Sequence, residues 1–236
     1  MLQERDLQIL EFIARFGYCQ EPHLCKLLEV GSVKNVVARL SDDGYITKQK
    51  VIANSDAYLS LGKKGATFLE TKVINKISLA TLFHDTLLVD LYLYLQNIYA
   101  ANNYSFKTDK ELRRDLKIEL LENEQLAEIH RVPDILINDQ IAIELELSEK
   151  PKVRLQAIIN SYVINEEIIE VNYYLQSQPL ARKIKKIANN HPKFKFWMIE
   201  MVENQVKVSP FSEAVEANET AAPRTGNKKF GGYTFL

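Results

Sequence analysis

The chain has 236 residues, 46% hydrophobic and 26% charged, which is room for one large or two modest domains with a real core. Its formal net charge of −1 advertises neither nucleic acid nor an anionic membrane, so any basic surface must be local. Several features point to a cytoplasmic protein off the membrane: "MLQERDLQIL" is charged from its fourth residue, the longest apolar run ("LLVDLYLYLQNIY") is broken by Asp90 and Gln96, and two cysteines make no disulfide framework.

Residues 1–75 read as a small helical unit. "RDLQILEFIARFG" repeats apolar side chains at Leu7, Leu10, Ile13 and Ala14, one face of a helix that Gly17 ends. Pro22 opens a second helix with Leu24, Leu27 and Leu28 inward, and Ser32 is placed to cap a third, "VKNVVARLSDD", closed by Gly44. Two β-rich runs follow around Asn54-Ser55-Asp56, a hairpin, and "GKKGATFLE" suggests a short closing helix. Cys19, His23 and Cys25 lie close together but lack the fourth ligand of a structural zinc site, so packed thiols are expected.

Beyond residue 75 the pattern changes. A largely buried helix is expected over 78–99, carrying His84 and Asp85 near its start, and "KTDKELRRDLKIELLENEQ" then gives no clear signal. The stretch "HRVPDILINDQIAIELELSEKPKVR" holds two short strands hinged at Asn138 and Asp139. If the hairpin pivots at Asp139, Asp134 stands opposite Glu144, each five positions away. Glu144 and Glu146 then share one strand face, and Ile143, Leu145 and Leu147 the other. Facing carboxylates repel unless a cation or proton joins them, and cross-strand Cβ atoms about 5 Å apart let two acids grip one hard cation. His130 shares the Asp134 face if the strand is regular through Pro133. The competing expectation is a solvent-facing sheet edge, which Pro133 permits. Farther on, a helix opens at Pro151, "VNYYLQS" reads as a strand, "PLARKIKKIANN" as a helix and "KFKFWMIEMV" as a strand. The tail from about 212, ending in "YTFL", reads as a flexible extension.

Three helices and a hairpin in this order resemble a winged helix-turn-helix, with "ARLSDDGYI" similar to the usual passage from recognition helix to wing. Such helices commonly enter a major groove, so Ser32, Lys34, Asn35 and Arg39, extended by Lys48 and Lys50 in the wing, are candidate DNA contacts. A protein-docking winged helix is the alternative. "PD-x9-ExE" in turn resembles the signature of the PD-(D/E)xK nuclease superfamily, the restriction-endonuclease-like fold. By that resemblance Asp134 and Glu144 are metal-binding acids, Glu146 stands where most members carry lysine, and Lys150 and Arg154 are candidates for holding phosphate.

The expected architecture is therefore α/β (α+β overall): a winged helix over 1–75, a restriction-endonuclease-like mixed-sheet domain over 76–211, and a tail over 212–236. The combination is similar to the plasmid replication-relaxation family and the MobC-type relaxases of mobilizable plasmids. That similarity implies a protein that binds an origin of transfer or replication as double-stranded DNA and nicks or relaxes it with Mg2+ (or Mn2+). Asp134, Glu144, Glu146, His130 and His84 are its candidate catalytic residues, and a coupling protein is a candidate partner for the tail. A water or a tyrosine such as Tyr162 could be the nucleophile. A non-catalytic DNA-binding regulator on a nuclease-like scaffold, and a defence nuclease, stay open as alternatives.

Overall fold

The computed structural model describes residues 2–53, 55–73, 76–122, 132–203 and 205–212. These form a mixed α and β fold with two sheets among the described residues. The first unit comprises α1 (Glu4–Phe16), β1 (Tyr18–Gln20), α2 (Glu21–Leu27), α3 (Lys34–Asp42), β2 (Ile46–Gln49), β3 (Tyr58–Leu61) and α4 (Lys63–Phe68). Its sheet is antiparallel in the order β1-β3-β2, and helices and strands follow the order expected of a winged helix-turn-helix. Gly17 (φ 83°) and Gly44 (φ 79°) end α1 and the α3 segment in left-handed backbone that glycine adopts without a Cβ clash. Helix α3 starts one residue later than expected: Val33 is the cap position, and the Ser32 hydroxyl accepts the Lys34 amide at 3.4 Å.

The second sheet runs β4-β5-β6-β7-β8-β9. Its strands are β4 (Phe106–Thr108), β5 (Ile135–Ile137), β6 (Ile141–Glu146), β7 (Glu170–Leu175), β8 (Phe194–Val202) and β9 (Gln205–Pro210); helix α5 (Leu82–Tyr99) precedes them, and α6 (Asp109–Glu122), α7 (Lys152–Ile164) and α8 (Gln178–Ile187) lie between them in the chain. β4, β5 and β6 form an antiparallel meander; β7 adds parallel to β6, β8 parallel to β7, and β9 antiparallel to β8. Each parallel step needs a crossover, and α7 and α8 supply the two. The β5–β6 turn carries both Asn138 (φ 50°) and Asp139 (φ 56°) at positive φ, the backbone of the tight turns that match strand twist. Ile135 pairs Ile143 and Ile137 pairs Ile141, so the hairpin pivots at Asp139, as the sequence predicts, and the pairing ends one residue short of Asp134, whose amide donates to the Ile143 carbonyl.

Alternation along the strands sorts the two faces. Ile135, Ile137, Ile143, Leu145, Tyr174 and Ile199 face α5, whereas Ala142, Val171, Tyr173 and Leu175 lie under α7 and α8. Helix α5 is apolar almost all round because it fills two interfaces at once: its Leu87, Leu91, Tyr92 and Leu95 share one cluster with the sheet and with Ile9, Leu10, Phe12 and Ile13 of α1. The core is thus continuous between the two units. Strands β4 and β9 and helix α6 lie outside what the sequence pattern predicts. No helix among the described residues is long and apolar enough to cross a membrane. The expected flexible tail, Ser212 apart, lies outside the described residues.

Leu91 is wholly buried in this shared cluster. Leu91→Ala should cost about 2–5 kcal/mol and lower a single calorimetric transition for the whole chain. Two transitions, only one of them shifted, would show that the units unfold independently.

Candidate functional site

Strand β6 lies between β5 and β7, and both its carboxylates are buried, Glu144 at 2% exposure and Glu146 at 4%. The solvent-facing edge is thereby excluded. Buried carboxylates require partners, and the α7 side provides them: the Tyr162 hydroxyl donates to Glu144 Oε1, and Lys150 Nζ pairs with Glu146 Oε2. Lys150 therefore brings an ammonium to the strand position at which the resembled nuclease motif carries lysine.

Asp134 is placed differently. Its backbone amide donates to the Ile143 carbonyl, its own carbonyl accepts from the Asp109 amide, and its carboxylate Oδ2 accepts from the Leu145 amide at 2.8 Å. The side chain thus continues the β5–β6 ladder where the backbone leaves it. His84, in the first turn of α5, reaches the same place: Nε2 is 3.1 Å from the Leu145 carbonyl and 3.6 Å from Asp134 Oδ2, and Nδ1 is 3.2 Å from Asp85 Oδ1. Burial alone would lower the imidazolium pKa, but Asp134 and Asp85 outweigh it and push the value up to about 10. Asp85 also accepts from the Tyr18 hydroxyl at 2.7 Å, and the hydrogen bonds from His84 and Tyr18 overcome burial to hold its pKa below the ordinary value.

A hydrogen-bonded line therefore runs from β1 of the first unit through Asp85 and His84 to the β5–β6 hairpin. Beside it, burial and then the charge of Asp134 raise the Asp109 pKa, and burial lowers that of Lys110, whose ammonium donates to the Phe16 carbonyl. Tyr18, Asp109, Lys110 and the Leu145 carbonyl are absent from the sequence reading. For Asp109 and Lys110 a signal existed, the capping-box spacing "TDKE": Glu111 Oε2 accepts the Thr108 amide at 2.8 Å. Nothing local could have found Tyr18.

Among the described residues no group of three or more His, Cys, Asp or Glu is arranged to hold a metal, so Asp134, Glu144 and Glu146 do not gather into the expected three-acid cluster. The Asp134 carboxylate and the Leu145 carbonyl converge instead on the His84 ring. Both oxygens are of the hard type that Mg2+ or Mn2+ takes, and a metal there would have to displace that ring. His130 lies outside the described residues. The Cys19, His23, Cys25 group is no metal site: His23 Nδ1 accepts the Gln20 amide, and its Nε2 lies 3.5 Å from buried Asp90.

In the first unit, Ser32 before α3, Lys34, Asn35 and Ala38 on α3, and Lys48 and Lys50 in and after β2 are exposed, with Lys48 Nζ 3.4 Å from Glu21. Arg39 is not a freely projecting contact as expected. Its Nη2 lies 2.5 Å from Oδ1 of Asp6, a carboxylate on α1 with no exposed surface, so its first role is to neutralise a buried charge. Arg154 is exposed at the head of α7.

No family model matches the chain, and no curated protein matches it. Among solved structures it is similar to a transcriptional regulator, Tm0710, from Thermotoga maritima, at 18% identity, covering 55% of this chain and 80% of that one with a TM-score of 0.26. A likeness of that size fixes neither fold nor activity.

The raised pKa of His84 gives its ion pairs a definite pH signature. They contribute stability fully present below pH 6.5, where the unfolded imidazole is also protonated, and lost as pH rises through about 10. The thermal midpoint of the wild type minus that of His84→Gln, measured in EDTA, should shrink from pH 6 toward pH 10. A constant difference would place His84 outside any charged network.

Proposed function

We propose that the chain is a DNA-processing protein of a plasmid or similar mobile element, which binds an origin of transfer or replication as duplex DNA through the winged helix and nicks it beside the β5–β6 hairpin. One observation carries the reading: Asp134 Oδ2 and the Leu145 carbonyl converge on the His84 ring at the end of a buried strand that also holds Glu144 and Glu146. The order α5, meander β4-β5-β6, α7, parallel β7 supports it, being the order of a helix, an acid-bearing hairpin and a helix that the nuclease resemblance implies.

Asp134 and the Leu145 carbonyl would hold Mg2+ or Mn2+, which when bound supplies polarisation of the scissile phosphate and a lower pKa for an attacking water. Lys150 and exposed Arg154 hold phosphate oxygens, and Lys34, Asn35, Lys48 and Lys50 hold the duplex. Water is the favoured nucleophile: Tyr162 is 1% exposed, with its hydroxyl on Glu144 inside the core, out of reach of a phosphodiester.

A second reading, a DNA-binding regulator on a nuclease-like scaffold, is favoured by a different observation: Glu144 and Glu146 are already engaged by Tyr162 and Lys150. Nicking of supercoiled plasmid carrying candidate origins separates the two. Asp134→Asn should slow nicking by about 100-fold or more while retaining binding. Wild-type protein that binds the duplex but never nicks it in Mg2+ or Mn2+ would establish the regulator.

Recognition has its own test. Lys34→Ala should weaken duplex binding and flatten its dependence on the logarithm of salt concentration by about one unit, with the thermal midpoint unchanged. Arg39→Ala should instead lower the midpoint, because it strands buried Asp6. Equal melting of both variants together with unchanged binding would move DNA contact elsewhere.

A further inference from the structure

Helix α7 packs on the sheet through Leu155, Ile158, Ile159 and Tyr162, yet its opposite face is not the polar surface of an ordinary outer helix. Val153 is 83% exposed and Ile164 68%, and Ala157 and Asn160 complete a stripe between them along a shallow hollow. Large aliphatic side chains held in water at both ends of one helical stripe point to a surface that is covered in use.

We propose that this stripe is covered by α7 of a second copy of the chain, packed antiparallel across a two-fold axis. The stripe is self-complementary in that orientation. A two-fold between Ala157 and Asn160 sets Val153 of one copy against Ile164 of the other, and the converse pair forms by symmetry. The small Ala157 at the centre allows the helices to approach closely. The ends match in charge: exposed Lys152 and Arg154 begin the helix, exposed Glu166 and Glu167 follow its last turn, and antiparallel packing brings each basic end beside the partner's acidic end. The opposed helix dipoles add in the same sense. A 13-residue helix is about 20 Å long, so the contact is smaller than a standard stable interface and the association is weak, with a dissociation constant on the order of 10–100 μM. The inference goes beyond the DNA-processing reading and does not depend on it. Its consequence for that reading is that two winged helices related by a two-fold axis suit an inverted repeat.

Sedimentation velocity of the full chain, without DNA, tests it. The wild type should shift from monomer to dimer as concentration rises toward about 100 μM, and Val153→Glu should weaken dimerisation by at least tenfold. Lys152→Glu alone and the pair Glu166→Lys, Glu167→Lys alone should each weaken it, and the three changes combined should restore it. If Val153→Glu melts early, Ala157→Cys in a Cys25→Ser background replaces it, and should form a disulfide dimer on mild oxidation. A wild type monomeric throughout, a dimer indifferent to Val153→Glu, absence of the cross-link, or charge exchange without restoration would each overturn the proposal.

Discussion

The second unit is organised around an electrostatic constraint in β6, a central strand that buries two carboxylates on the face covered by α7. A buried charge without a partner costs several kcal/mol, so that helix cannot be a plain apolar lid. It supplies the Tyr162 hydroxyl to Glu144, while the loop leading into it supplies the Lys150 ammonium to Glu146. The crossover from β6 to β7 is thereby fixed at two points by polar groups and between them by Leu155, Ile158 and Ile159. On the other face, the side chains of Ile143 and Leu145 pack against α5, and only the Leu145 carbonyl makes a polar contact there, with His84. One strand therefore separates a polar, compensated interface from one packed mainly by apolar side chains, and His84 meets Asp134 where the strand ends and α5 begins.

Helix α5 explains why the two units are not independent beads. Its apolar surface closes the core of the mixed sheet and that of the winged helix together, and polar ties border the seam. Arg15 of α1 pairs with Glu111 of α6 at 3.0 Å, and Lys26 of α2 pairs with Asp90 of α5 at 2.6 Å. Asp90 interrupts the apolar run in the sequence, where it excludes a membrane span. In the fold it is the acceptor that orients α2, held ionised against burial by His23 and Lys26.

How much of this was legible depended on the range of each interaction. The β5–β6 register was readable because a three-residue connection centred on Asp139 leaves one pairing, and Asn138 and Asp139 adopt the positive φ of such a tight turn. The facing of Ile143 and Leu145 followed from strand alternation alone. The short edge strands β4 and β9 were not readable, because three or six residues of mixed polarity gain their strand character only from a neighbour. Placing Arg39 among the DNA contacts failed for a similar reason. Helical periodicity puts it outside the α3 core face, but only the fold reveals a buried acid 33 residues earlier. The site was half legible: Asp134, Glu144 and His84 stand out as polar residues set in apolar runs, whereas the partners that decide their chemistry, Tyr162, Tyr18 and the Leu145 carbonyl, carry no local signal.

The line from Tyr18 through Asp85 and His84 to Asp134 gives the shared core a directional element. Tyr18 belongs to β1, which pairs with β3 of the wing sheet, and Asp134 ends the ladder between β5 and β6. Between them His84 makes contacts at both ring nitrogens, so its ring cannot turn without breaking one of them. A displacement of the β1-β3-β2 sheet would be felt first at Asp85, then at the ring, then at the carboxylate. Apolar packing along α5 resists such a shift without direction; the polar line links a defined atom in one unit to the Asp134 carboxylate in the other. The position of the Asp134 carboxylate is therefore set jointly by its own hairpin and, through His84 and Asp85, by the first unit.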